Sequence, residues 1–346
     1  MPSSAWIKWA VRSLSILFAS ALLGGTIGFL LDDAKLGQNV AGGAILGIGL
    51  GLVYSTYGML RSRFERNAQQ LKERDFADKE LELARSIQQR LLPPSSIEAA
   101  GYRVESRNVA ARYVAGDFYD VFHLADGTLG LVVADVAGKG IGASLIMATV
   151  KAVLPLIAAG KSVEETLAEL NVRIHRDMAR REFVALAYAH FDPATSTLRV
   201  GNAGLPDPIL LRRKEAPVAL EVEGPRLPLG IRVGLRYEAL TLKLSPGDRV
   251  LLYSDGLPEA PMENGEPLGY ETLVEMAGTD ETDPAVWLDG LLDAVRSQTR
   301  QTIEDDWTAL LLEAAPEGRL IPSLESVAPG IERIIPGAAG ASATPR

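Results

Sequence analysis

Apolar and polar positions change their rhythm three times along this chain. Residues 13–31 and 40–60 are long stretches without a charge, separated by a polar turn at 32–39. At 1.5 Å per residue the first reaches roughly 28 Å, about the thickness of one hydrocarbon core. The pair predicts two membrane-spanning helices arranged as a hairpin over residues 1–60. A cleaved signal peptide fits less well, because the second span follows at once and no small-residue cleavage site ends the first. From 61 to 92 the chain is charged, free of Gly and Pro and rich in helix formers, with Phe64, Leu71, Leu81, Ile87 and Leu91 as an irregular apolar stripe. A continuous connector helix is expected until Pro93 and Pro94 stop it, with a coiled-coil dimer as one use of its stripe.

Beyond Gly101 shorter periods take over. Strand patterning marks residues 102–112, 118–124, 129–135, 183–191, 197–201, 208–212, 240–244, 249–253 and 308–313. Helical spacing marks 142–159, 162–180, 270–277 and 284–300. Strands come in hairpins and the two long helices are consecutive, which favours an α+β layered sandwich over a doubly wound sheet. After about residue 316, Pro, Gly and Ala dominate, and residues 317–346 read as a tail, its last ten or so residues disordered.

Charge completes the membrane reading. Lys8 and Arg12 precede the first span, Arg61, Arg63 and Arg66 follow the second, and the turn carries only Lys35. The positive-inside rule then places both termini in the cytoplasm and the turn outside, a two-span protein of the cell membrane. Trp6, Trp9, Tyr54 and Tyr57 stand at the cytoplasmic boundary. Glycines four apart, at 43, 47 and 51 and at 24 and 28, let helices approach closely and are read as packing within the hairpin. The 346 residues carry a net charge of −9, which argues against a nucleic-acid partner. There is no cysteine, which excludes thiolate sites and disulfides, and the only three histidines stand at no ligand spacing, which argues against a His-rich zinc site.

The remaining chemistry lies in aspartates at the ends of apolar runs: Asp117, Asp135, Asp255, Asp305 and Asp306. Burying such acids is costly unless positive charge compensates. Carboxylates converging at strand ends point to a hard divalent cation. Between Asp117 and Asp135 runs a hairpin with Asp126-Gly127 at its tip. A two-residue turn would pair Asp117 with Val136. A three-residue loop, 125–127 with Gly127 left-handed, would set Asp117 opposite Asp135, an arrangement that destabilises a sheet unless a cation sits between the two charges.

Six ordered motifs then carry a resemblance. Residues 116–120 (GDFYD), 135–140 (DVAGKG), 202–204 (NAG), 229–231 (LGI), 253–260 (YSDGLPEA) and 305–308 (DDWT) resemble the motif set of the SpoIIE/RsbU branch of PPM-type serine/threonine phosphatases. Residues 84–93 resemble the helix that leads into that domain. The resemblance spans about 84–315 and implies a phosphatase domain at 96–316 behind a helical linker at 61–95. It implies a layered α-β-β-α sandwich with two Mn²⁺ or Mg²⁺ ions at one end. Carried over by position, Asp117, Asp135, Asp255 and Asp305 and the backbone carbonyl of Val136 would hold the ions. A metal-bridging hydroxide would then attack phosphoserine or phosphothreonine on a signalling protein, typically an anti-sigma factor antagonist. Three departures stand out: Ala115 where a glycine is usual, Ala137 where serine is common, and Leu205 where histidine often sits. No arginine matches the phosphate clamp of other PPM enzymes.

Other residues carry plainer readings. Asp120 is either a partner of the metal ligands or a solvated strand residue, and Asp306 orients its neighbour rather than binding metal. Asp126 is a turn residue. Lys139 could touch phosphate, but its surroundings do not match a P-loop, and a surface loop is the better reading. Gly116 and Gly256 are expected to allow tight turns beside the ions. Arg180 and Arg181 read as a solvated helix end. A catalytically silent phosphoprotein-binding scaffold and a metal-dependent nucleotide hydrolase are the competing functions.

Overall fold

Alternation of period two is obeyed strand by strand, and it sorts the apolar residues into three separate cores. The computed structural model describes residues 34–314 apart from 112, 178–181, 280 and 301–302, together with 19, 26 and 30. The chain divides into two units, residues 1–80 and 81–346. One helix, α1 (Ala34–Leu91), contains the second expected span and the connector without a break. No proline falls inside it, and pairs such as Arg61 Nε with Glu65 Oε1 at 2.9 Å run along its surface. The first expected span, its flanking basic residues and the tail at 317–346 lie outside the described residues. Among the described residues, one helix is long and apolar enough by composition to cross a membrane, Ile141–Ala158 with a mean hydropathy of 1.9. It belongs to the sandwich described next.

In the second unit follow β1 (Ser96–Ala99), β2 (Tyr102–Val109), β3 (Phe118–His123), β4 (Leu129–Val136), α2 (Ile141–Ala158), α3 (Val163–Asp177), β5 (Val184–Asp192) and β6 (Thr197–Ala203). Then come β7 (Ile209–Leu211), β8 (Val218–Ala219), β9 (Ala239–Lys243), β10 (Arg249–Tyr253), α4 (Tyr270–Met276), α5 (Pro284–Gln298) and β11 (Trp307–Ala314). A six-stranded sheet has the order β1-β2-β11-β10-β7-β8, and a five-stranded sheet the order β3-β4-β5-β6-β9. Neighbouring strands in both run antiparallel.

Within β4, Val132, Ala134 and Val136 face α2 and α3, while Leu129, Leu131 and Val133 face the other sheet. Within β11, Leu310 and Leu312 face the inter-sheet core, while Ala309 and Leu311 meet Trp287, Leu288 and Leu291 of α5. β4 and β11 therefore bury both faces, and the layers run helix, sheet, sheet, helix. Asp283 caps α5 by accepting from Ala285 N at 2.9 Å and Val286 N at 3.1 Å, with Pro284 at the first helical position.

The strands and helices expected from sequence are present within a residue or two at most ends. Two strands went unread, β1 and β8. They are four and two residues long, lie at the edges of the six-stranded sheet and carry little alternation.

Candidate active site

The hairpin between β3 and β4 closes through the three-residue loop. Gly127 N donates to Leu124 O at 3.0 Å, Leu124 N to Thr128 O at 2.8 Å, and Gly127 takes a φ of 86°, which a side chain would resist. Asp126 is the turn residue, its Oδ1 accepting from Thr128 N at 3.0 Å and Oγ1 at 2.7 Å. The register pairs Phe118 with Ala134, so Asp117 stands opposite Asp135 one step beyond. The two carboxyl groups perturb each other's ionisation.

The second sheet brings its own acids to this rim. β10 ends at Tyr253 and leads into Ser254-Asp255-Gly256, and β11 is entered through Asp305-Asp306. Ser254 N donates to Thr308 O at 2.9 Å, and Thr308 N donates back to Ser254 Oγ at 3.0 Å. Asn108 Nδ2 reaches both Thr308 Oγ1 at 2.7 Å and Asp117 O at 3.4 Å, linking the two sheets behind the acids.

Gly116 and Gly256 serve close approach rather than tight turns. Neither has a positive φ. A Cβ on Gly256 would lie 2.1 Å from Asp306 O, and one on Gly116 would lie 2.9 Å from Val136 O.

Two side chains that sequence reasoning read differently or missed hold the segment before Asp117. Asp306 accepts from Ala111 N and Gly116 N, each at 2.8 Å, so its side chain holds Ala111 and Gly116 rather than its neighbour Asp305. Gln88, near the end of α1, donates to Ala115 O at 2.6 Å and accepts from Ala115 N at 3.0 Å. A glutamine in a charged helix gives no sequence signal for such a role.

Electrostatics sets these acids apart. Asp117 is 3 % exposed, and its Oδ2 has no hydrogen-bond partner. Burial holds its carboxyl well above the usual range, and the charge on Asp135 adds to this while the Ser254 hydroxyl opposes it. Asp135 is raised too, first by burial, then by Asp305 and Asp306. Asp255 is pushed up to about 6 by burial, with Asp135, Glu259 and Asp305 contributing. The charge of Asp135 thus reaches Asp117 and Asp255, that of Asp305 reaches Asp135 and Asp255, and Val136 ends the strand that carries Asp135.

The sign of this repulsion gives a test. With Asp255 at about 6 in the fold and near 3.8 when unperturbed, the folded state keeps a proton that the unfolded chain loses in between. Stability from that proton is present below about pH 4 and is lost as pH rises through 6. A divalent ion should therefore stabilise more where the acids are ionised. The rise in melting temperature on adding Mn²⁺ is expected to be larger near pH 7.5 than near pH 5. Equal shifts at the two values, read by differential scanning fluorimetry against EDTA, would contradict this.

Other acids stand apart. Among the described residues no three His, Asp or Glu side chains sit together at metal-holding geometry. Asp305 is ion-paired, its Oδ2 lying 3.0 Å from Lys139 Nζ. Asp120 is neither solvated nor beside Asp117. It lies on the opposite face of β3, buried and ion-paired with the equally buried Lys151 of α2. His123 is exposed at the end of its strand.

The NAG and LGI motifs prove to be structural. Asn202 Oδ1 accepts from Leu205 N at 2.9 Å and its Nδ2 donates to the carbonyls of Leu205 and Pro206. Gly230 N donates to Asn171 Oδ1 at 2.8 Å. Arg180 and Arg181 lie outside the described residues.

The family model described as Stage II sporulation protein E (SpoIIE) matches residues 125–315. The chain belongs to the SpoIIE family. Among curated relatives it is 27 % identical over 286 residues to "Protein IcfG" of Synechocystis, covering 71 % of this chain and 44 % of that protein. It is 26 % identical over 268 residues to "Phosphoserine phosphatase RsbU" of Bacillus subtilis, covering 77 % and 76 % of the two chains. Against "Phosphoserine phosphatase RsbP" of the same organism the shares are 52 % and 45 %. The chain thus spans under half the length of two of these relatives and about three quarters of the third.

Among solved structures, the RsbU and RsbW domains of Rv1364c from Mycobacterium tuberculosis match at 27 % identity with a TM-score of 0.54, covering 64 % of this chain and 62 % of that one. The SiaA-PP2C domain of Pseudomonas aeruginosa matches at 19 % and 0.59, covering 69 % and 98 %. That likeness supports the PP2C-type α+β fold of this SpoIIE-family chain.

Proposed function

We propose that this SpoIIE-family chain is a metal-dependent protein phosphatase acting on phosphoserine or phosphothreonine. One observation carries the reading: two carboxylates set directly opposite each other, one buried with an unpartnered oxygen, at the rim where both sheets end. A buried like-charge pair is unfavourable unless a cation joins it. The donor set consists of oxygens alone, which suits Mg²⁺ or Mn²⁺.

In this reading Asp117, Asp135, Asp255, Asp305 and the carbonyl of Val136 would hold two ions. When bound, such ions lower the pKa of water toward neutrality and offset charge on a phosphoryl group. The chain's own part is placement. Asp306 and Gln88 fix the backbone before Asp117, Gly116 and Gly256 let the rims close up, and Ser254 and Asn108 tie the two sheets behind the acids.

The names of RsbU and RsbP support phosphoserine as the target, and the RsbW domain in the matching mycobacterial structure supports a partner in an anti-sigma circuit. The substrate we propose is therefore a phosphorylated anti-sigma factor antagonist. The uncharged stretch at 40–60, continued by the rest of α1, supports anchoring in the cell membrane with the second unit in the cytoplasm. Exposed Phe64, Leu71, Phe76, Leu83 and Ile87 along the same helix support a homodimer through it.

The test compares phosphoserine proteins with nucleotides as substrates of the full chain in Mn²⁺. Phosphate release from the phosphoprotein alone is expected. Release from nucleoside triphosphates alone would favour a nucleotide hydrolase, and release from neither would favour a silent scaffold.

A further inference from the structure

One cation stands among the clustered acids. Among the described residues, Lys139 is the only lysine or arginine paired with Asp117, Asp135, Asp255, Asp305 or Asp306. It follows β4 between Gly138 and Gly140, whose φ values of 106° and 84° belong to the left-handed region that favours glycine. The ammonium donates to Asp305 Oδ2 and to Glu304 O, each at 3.0 Å, across 166 and 165 positions of sequence.

Both partners border an open cleft of about 200 Å³, which Lys139 also lines, together with Gly256, Glu259 and Arg300. The acid that Lys139 neutralises is one proposed to hold a metal ion. Once a divalent cation takes that carboxylate, the ammonium loses its counter-charge at the mouth of the cleft. A phosphomonoester dianion brings one to the same place, and the flexible four-carbon stem with rotatable donors allows the exchange.

We propose that Lys139 is the phosphate-anchoring residue of this site: it leaves Asp305 when metal binds and donates to the phosphoryl oxygens of the substrate. This supplies the contact for which no arginine was found. The proposal rests on the phosphatase reading above. It also makes Lys139 a competitor of metal at Asp305.

The test uses the full chain loaded with Mn²⁺. Calorimetric titration with inorganic phosphate is expected to show binding that is roughly 10-fold or more weaker in Lys139→Gln, the loss of one charge-assisted hydrogen bond, and near wild type in Lys139→Arg. The KM for p-nitrophenyl phosphate rises by a similar factor in Lys139→Gln, with kcat changed far less. Mn²⁺ should raise the melting temperature of that variant at a lower concentration than it does for the wild type. A Lys139→Gln protein that binds phosphate as tightly as wild type, while the wild type hydrolyses p-nitrophenyl phosphate, overturns the anchoring role alone. A wild type that neither binds phosphate nor turns over the ester overturns both readings.

Discussion

Asp117→Asn should lower Mn²⁺-dependent hydrolysis by about 100- to 1,000-fold or more, the scale seen when one preorganised electrostatic group is removed from an active site. The same change should raise the midpoint of unfolding of the metal-free protein. Both outcomes follow from one fact. Asp117 is buried with an unpartnered oxygen opposite Asp135, and its carboxyl is held well above the usual range by burial and by that neighbour. A raised folded value means that ionisation costs stability at neutral pH, so a neutral amide of the same shape removes the cost. The gain should fade as pH falls below about 4, where the acid is protonated folded or unfolded. Activity is read with p-nitrophenyl phosphate and stability by urea denaturation in EDTA. Unchanged turnover, or a variant less stable than wild type at neutral pH, would remove the carboxylate from the proposed metal site.

Lys151→Met should destabilise the fold by roughly 3–5 kcal/mol, because it removes the ammonium paired with the buried Asp120 carboxylate. The pair lies between α2 and β3, with both side chains nearly inaccessible. Restoring neutrality on the other side should recover much of the loss, so Asp120→Asn combined with Lys151→Met is expected to be more stable than Lys151→Met alone. Urea unfolding of the two variants reads this directly. Equal stability of Lys151→Met and the wild type would mean that the ion pair contributes nothing that methionine cannot replace.

The opposition of Asp117 and Asp135 could be read in advance, because turn chemistry and strand parity act over a few residues. Asp126-Gly127 marks the tip, Gly127 takes the left-handed position of a three-residue loop, and the register follows along the ladder. The layered fold was legible for the same reason: β4 and β11 each divide their side chains between two cores by simple alternation.

Roles that depend on distant backbone were not legible. Asp306 reaches Ala111 and Gly116, nearly 200 positions away in sequence, and nothing local marks it as a clamp. Gln88 is one polar residue among many in a charged helix. The pairing of Asp120 with Lys151 left a faint trace, a single lysine inside the apolar run of α2 and a single acid inside β3. Lys139 was read as a surface loop residue and is indeed half-exposed. Only the folded chain shows its ammonium at Asp305.

The most direct measurement is anomalous diffraction from crystals of the protein grown with Mn²⁺. The account predicts two manganese peaks at the rim of the sandwich, with Asp117, Asp135, the Val136 carbonyl, Asp255 and Asp305 as protein ligands and Lys139 moved off Asp305. A manganese-free rim under saturating metal, with Lys139 still on Asp305, would contradict it.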